Sequence, residues 1–180
     1  MSVDQHLIVI RGNSASGKST VAVELQRRMG RGAANVGQDH LRRVVLREHD
    51  VPDGDNIGLI EQTAQHCLQI GYHVILEGIL YSGHYGNMLR RLMGRHDGPT
   101  HVFYLDVPLE ETLRRHAGRP LASEVDSTKL REWFLESDVL GVPGEVVLGG
   151  EYDVGGVVDR VLQAVGPVRE RTSSSQGKFL

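Results

Sequence analysis

With 180 residues, 39% of them hydrophobic, the chain is long enough for one well-buried core and short for two. Its formal charge of −3 offers no global basic field for nucleic acid or an anionic membrane, and its one cysteine, Cys67, excludes a disulfide framework or a thiolate metal cluster. No apolar run approaches the roughly 18 residues of a bilayer span, and the first six residues lack the charged start and apolar core of a signal peptide, so a soluble, cytoplasmic protein is expected.

Leu7-Ile8-Val9-Ile10 is a short continuous apolar run rich in β-branched residues, the pattern of a strand buried on both faces. Just beyond it, Gly12-Asn13-Ser14-Ala15-Ser16-Gly17-Lys18-Ser19-Thr20 fits G-x-x-x-x-G-K-[ST]. Glycines let a backbone coil tightly enough to aim successive N–H groups at one anion, and a helix starting near Lys18 adds the positive end of its dipole. Val21, Leu25 and Met29 recur at helical spacing until Gly30. A strand before and a helix after is the setting a phosphate loop requires.

Residues 33–36 predict a short second strand ending at Gly37, after which Asp39 stands as the N-cap of a helix over about 41–48. Pro52, Asp53, Gly54 and Asp55 mark a loop over 51–56. Ile57, Ile60, Ala64, Cys67 and Leu68 form the clearest amphipathic stripe, with Cys67 a buried structural thiol on it, and the segment stops at Gly71. It feeds a strand over 72–77. A helix over 84–95, a strand over 100–107 and a helix over 109–116 follow.

Gly118-Arg119-Pro120 breaks that last helix. Another spans 127 to about 140, with Trp133 read as a packing residue, before a final strand over 145–148 and a closing helix on Val157, Val158, Val161, Leu162 and Val165. Residues 169–180 are polar and are expected to form a disordered tail. Alternating strands and helices argue for an α/β domain over 1–168, with a mostly parallel sheet covered on both faces and ligands beyond the carboxyl ends of the strands.

Within that frame Lys18 suits neutralisation of β- and γ-phosphates, and Ser19 suits a hydroxyl contact to Mg2+. Glu77 ends its strand with a carboxylate fit for a second, water-mediated contact to the metal, and Asp106, at the end of a later strand, is its rival. Asp39 and Arg42 follow the second strand as D-x-x-R, with Arg43 beside them. A hydroxyl is a weak nucleophile at its free pKa, so a positioned carboxylate is a sensible proton acceptor.

The glycine-lysine motif resembles the Walker A loop of P-loop NTPases. The D-x-x-R segment is similar to that of small P-loop kinases, in which the aspartate deprotonates the acceptor hydroxyl and the arginine steadies the substrate. Arg115-His116-Ala117-Gly118-Arg119 resembles the R-x-x-G-R at the start of the adenylate-kinase lid. By that resemblance Arg115 lies against the adenine and Arg119 reaches the transferring phosphates, tasks that suit guanidinium groups.

Together these segments resemble the small-molecule and nucleoside-type P-loop kinases, a group that includes chloramphenicol phosphotransferase, gluconate kinase, polynucleotide kinase and zeta toxins. The resemblance implies a three-layer P-loop NTPase fold, a five-stranded parallel sheet of order 2-3-1-4-5 and a helical lid over about 115–144. It implies ATP and Mg2+ as cofactors, with residues 12–20 and Arg115 on the nucleotide, Asp39, Arg42 and Glu77 on the substrate side, and Ser19 and Glu77 on the metal. The expected activity is transfer of the γ-phosphoryl group to a hydroxyl of a nucleoside, sugar or antibiotic, with Lys18, Asp39 and Arg119 catalytic.

A nucleoside monophosphate kinase is the alternative, for which Arg42, Arg43, Arg90 and Arg91 could meet an acceptor phosphate. A regulatory or toxin-like nucleotide-responsive module is another. Thr128-Lys129 runs on into Leu130-Arg131, which is not the guanine-reading sequence of a GTPase. The oligomeric state stays open.

Overall fold

A computed structural model describes residues 4–117 and 127–168. Its elements run β1 (Leu7–Gly12), α1 (Lys18–Met29), β2 (Ala33–Gly37), a π-helix (His40–Leu46), α2 (Asp55–Gln69), β3 (His73–Gly78), α3 (Ser82–Arg95), β4 (Thr100–Asp106), α4 (Leu109–Ala117), α5 (Ser127–Trp133), β5 (Val146–Gly149) and α6 (Val154–Val165). All five strands are parallel and pair in the order β2-β3-β1-β4-β5, the expected order.

Both faces of the sheet are covered, which is why β1 is buried along its whole length. Ile8 and Ile10 turn to one face and pack with Leu25 of α1 and Val158 and Val161 of α6. Leu7 and Val9 turn to the other and pack with Ile60 of α2 and Tyr85 and Leu89 of α3. Cys67 is half-buried at the edge of this second cluster, and burial pushes its thiol pKa up.

Register decides what meets at the carboxyl rim. Gly37 of β2 pairs with Glu77 of β3, and Arg11 of β1 pairs with Gly78. The loops leaving β1, β2 and β3 therefore start level with one another, at the end of the sheet where parallel α/β folds bind ligands. No described helix is long and apolar enough to cross a membrane.

Several expected boundaries shift, each for a local reason. β1 continues through Arg11, because that guanidinium is fully buried against Asp138 at 2.8 Å and Glu145 at 3.5 Å. The helix expected over 41–48 is a seven-residue π-helix, and Asp39 makes no side-chain cap to it. Its carboxylate accepts from Arg42 instead. α2 starts at Asp55, inside the expected loop, because the Glu48 carboxylate accepts the N–H groups of Asp55 and Asn56, both at 2.8 Å, and so caps it from a distance.

The helix expected to reach 140 stops at Trp133, which is 54% exposed and is no packing residue. Beyond it, Leu135 gives its N–H and C=O to the side chain of Asn13, so neither is left for a helical ladder. β5 begins one residue late, since Glu145 is occupied with Arg11 and the N–H groups of Leu140 and Gly141. The expected tail over 169–180 lies outside the described residues.

Candidate active site

The phosphate loop leaves β1 at Gly12, whose φ of +151° is in the region glycine favours. A Cβ there would stand 2.7 Å from the Leu105 carbonyl oxygen, so the close passage of β4 also requires the missing side chain. Ala15 is left-handed at φ +60°, and the Ser16 N–H donates to the Asn13 carbonyl at 3.2 Å, curling the loop on itself. The nearly buried Lys18 Nζ donates to the Asn13 carbonyl at 2.7 Å and lies 3.4 Å from Ser16 Oγ. α1 then starts at Lys18 directly after Gly17, with its N-terminal end at the loop.

An open cleft stands in front of this loop, lined by Ser14, Ala15, Gly17, Lys18, Ser19, Asp39, Glu77, Gly78 and Ile79. The structure thus places Asp39 and Glu77 in one lining with the phosphate loop. Asp106, the rival to Glu77, is absent from the lining. Ser19 Oγ donates to Glu77 Oε2 at 3.1 Å. Burial pushes the Glu77 carboxyl above its ordinary range, Lys18 and the Ser19 hydrogen bond pull it back, and nearby Asp39 adds to the push.

Two oxygens at neighbouring positions around an octahedral Mg2+ lie about 3 Å apart, so the Ser19 and Glu77 pair fits a hard cation with oxygen ligands. Among the described residues no group of three or more His, Cys, Asp or Glu could hold a metal by itself. Most ligands of a bound Mg2+ would therefore be phosphate and water oxygens.

Asp39 is 65% exposed, and its carboxylate accepts from Arg42 Nη2 at 3.1 Å with Arg43 Nη1 at 3.8 Å. Arg42 also donates Nη1 to the Glu48 carbonyl at 3.2 Å, while its Nε is buried without a partner among the described residues. Arg115 points back from α4 to the loop, donating Nη1 to the Ser16 carbonyl at 3.1 Å and Nε to Glu111 at 2.6 Å. Arg114 faces the exposed side with Glu111, so Arg115 is the arginine on the loop. Arg119, the other expected lid arginine, lies outside the described residues.

Three features were not read from the sequence. Gln38, nearly fully buried, accepts the Leu80 N–H at 2.9 Å and donates to Asp50 at 3.3 Å, tying the turn that bears Asp39 to the loop after Glu77. The Tyr85 hydroxyl lies 2.9 Å from both Asp50 and Asn56, and His84 Nδ1 is 3.4 Å from Asp50. Arg11 with Asp138 and Glu145 forms a buried ionic knot behind the loop, joined by Ser82. The strand-end glycines make room for this crowding: a Cβ on Gly37 would stand 2.9 Å from Glu77 Oε1, and one on Gly78 would run into the Gln38 side chain.

Comparison with known proteins bears on the family and the fold. The family model described as AAA domain matches residues 7–136. No curated protein sequence matches the chain. Among solved structures, the APS kinase of Mycobacterium tuberculosis, in complex with AMPPNP and APS, is similar at 18% identity and a TM-score of 0.71, over 89% of this chain and 96% of that one. A gluconokinase from Sinorhizobium meliloti 1021 is similar at 16% identity and a TM-score of 0.65, over 92% of this chain and 93% of that one. The tunicamycin resistance protein of Deinococcus radiodurans is similar at 17% identity and a TM-score of 0.60, over 93% of this chain and 99% of that one. At these identities the likeness is one of fold.

Proposed function

The chain belongs to the AAA domain family, and on that footing we propose that it is an ATP-dependent phosphotransferase that moves the γ-phosphoryl group to a hydroxyl of a small molecule, such as a nucleoside, sugar or antibiotic. One observation supports this reading above the rest: Asp39, a carboxylate that belongs to no metal-binding group among the described residues, lines the same cleft as Lys18 and Ser19 of the phosphate loop.

Asp39 accepts the proton of the acceptor hydroxyl as its oxygen bonds to the γ-phosphorus. The bond from that phosphorus to the β–γ bridging oxygen breaks, and ADP leaves. Mg2+, when bound with the nucleotide, neutralises charge on the β- and γ-oxygens. The loop N–H groups and Lys18 hold the phosphates, Ser19 and Glu77 supply protein oxygens to the metal, and Arg115 flanks the nucleotide at Ser16. Arg42 holds Asp39 in its outward position. Arg119 is assigned to the transferring phosphates by resemblance alone.

A hydroxyl acceptor is favoured over an acceptor phosphate by where the other arginines point. Arg42 and Arg43 face Asp39, Arg90 donates to the Leu140 carbonyl at 2.8 Å, and Arg91 pairs with Glu61 at 2.8 Å. Two of the four that could have met a monophosphate, Arg90 and Arg91, are thus engaged with partners outside the cleft lining, and only Arg42 and Arg43 stand beside Asp39. The test is ADP release from ATP and Mg2+ with and without nucleosides, nucleoside monophosphates, sugars and hydroxylated antibiotics, followed by mass analysis. Acceptor-dependent ADP with a phosphorylated alcohol supports the reading; turnover only on monophosphates overturns the hydroxyl assignment.

A further inference from the structure

Asn13 stands inside the phosphate loop, yet its side chain is 3% exposed and is absent from the lining of the phosphate cleft. It faces the segment that follows α5. Nδ2 donates to the Leu135 carbonyl at 2.7 Å and Oδ1 accepts the Leu135 N–H at 3.0 Å, so one side-chain amide pairs with both backbone groups of one residue as a neighbouring strand would. The Tyr104 hydroxyl lies 3.5 Å from Nδ2 and accepts the Asp138 N–H at 3.1 Å. Arg11 holds the Asp138 carboxylate at 2.8 Å.

The backbone of the same residue faces the nucleotide side. The Asn13 carbonyl accepts from Lys18 Nζ at 2.7 Å and from the Ser16 N–H at 3.2 Å, the two contacts that set the shape of the loop. Phosphates that draw Lys18 toward themselves must loosen the first of these contacts. Any resulting shift of the Asn13 peptide is passed on through a side chain with both polar groups already committed. A buried amide that lost those partners would stand unsatisfied, so the two segments move together more cheaply than apart.

We propose that Asn13 is a positioning residue that locks the segment over 134–138 to the phosphate loop, so that nucleotide binding is reported at Leu135 and at the adjoining Trp133. The lock itself stands on the geometry above, and the nucleotide response rests on the proposed function.

The experiment has two readouts on the full chain. Hydrogen exchange of the nucleotide-free protein tests the lock: in Asn13→Ala, exchange over 134–138 should quicken by about tenfold or more while β1 and α1 stay protected. Tyr104→Phe, which removes one oxygen from the same cluster, should quicken the same segment by a smaller factor. Unchanged exchange in Asn13→Ala overturns the lock. Should that variant not fold, unchanged exchange in Tyr104→Phe overturns it.

Emission from Trp133, the only tryptophan, tests the coupling. With Mg2+ and AMPPNP titrated to saturation, wild-type emission should shift and the shift should be lost in Asn13→Ala, a signature that a general loss of stability would not produce. An equal shift in both proteins, or none in a wild type that binds AMPPNP by calorimetry, overturns the coupling. A wild type that binds no nucleotide would overturn both the proposed function and the coupling, and exchange at 134–138 would still decide the lock.

Discussion

The Ser19 hydroxyl donates to the Glu77 carboxylate at 3.1 Å, fastening the first turn of α1 to the end of β3 across the phosphate cleft. Both groups carry oxygens of the kind a hard cation takes, and each is held in place by the other. Because burial raises the Glu77 pKa, the folded protein binds that proton more readily than the unfolded chain does. The group therefore favours folding at pH below its unfolded value, and that stability is lost as pH rises through the folded value. Glu77→Gln should lower Mg2+-dependent ADP affinity at neutral pH while leaving the melting temperature equal to or above wild type. Calorimetry and thermal unfolding on one preparation check both outcomes; undiminished metal dependence removes Glu77 from the metal site.

Lys18→Ala should lower phosphoryl transfer by about 100-fold or more, since it removes a preorganised cation from the developing phosphate charge. ADP release under saturating acceptor reads the effect, and near-normal turnover would sink the phosphate-loop assignment.

Asp39→Asn should reduce transfer by about 100- to 10,000-fold while nucleotide affinity changes little. The carboxylate is mostly exposed and its ion pairs with Arg42 and Arg43 contribute at most about 1 kcal/mol, so the melting temperature should barely move. Equal kcat in the two proteins removes Asp39 as the base.

Arg11→Ala should destabilise the fold by about 3–5 kcal/mol, because it strands the buried carboxylates of Asp138 and Glu145 without their cation. Urea unfolding followed by circular dichroism gives the value. A loss below about 1 kcal/mol would mean that water reaches the pair once the arginine is gone.

Acid should weaken the other end of the sheet. His6 lies between His73 and His101, with His6 Nδ1 3.1 Å from His101 Nε2, and His96 and Asp4 also act on it. Burial first, and the neighbouring imidazoles second, hold its pKa down to about 4 from 6.5. Between those values the unfolded chain takes up a proton that the folded one refuses, so stability falls as pH drops through that window. His6→Gln should flatten the decline in melting temperature with falling pH. An unchanged slope would show that His6 titrates normally in the fold.

The phosphate loop and the two carboxylates facing it were legible because their signals are local: glycine spacing, an apolar run before, a carboxylate at a strand end. The strand order came from resemblance and not from any pattern within the chain. Arg11 reads as the end of a strand until its partners are known, and those lie 127 and 134 residues away. Asn13 likewise announces a loop backbone but hides a side-chain contact 122 residues distant. That contact is also what ends α5 early, so one unseen pairing accounts for two differences. The π-helix escaped because apolar spacing over seven residues does not separate it from an α-helix.

The glycines that close β2 and β3 bear on how this protein could be remade. A side chain at Gly78 meets Gln38 back to its Cβ and so displaces the buried tie between the two loops, while one at Gly37 pushes the Glu77 carboxylate out of its place in the cleft. A combinatorial library aimed at new acceptors should hold both fixed and diversify farther out, from His40 on one arm and Ile79 on the other. Evolution faces the same restriction, so changes in substrate choice should accumulate along those two arms while the strand ends stay as they are.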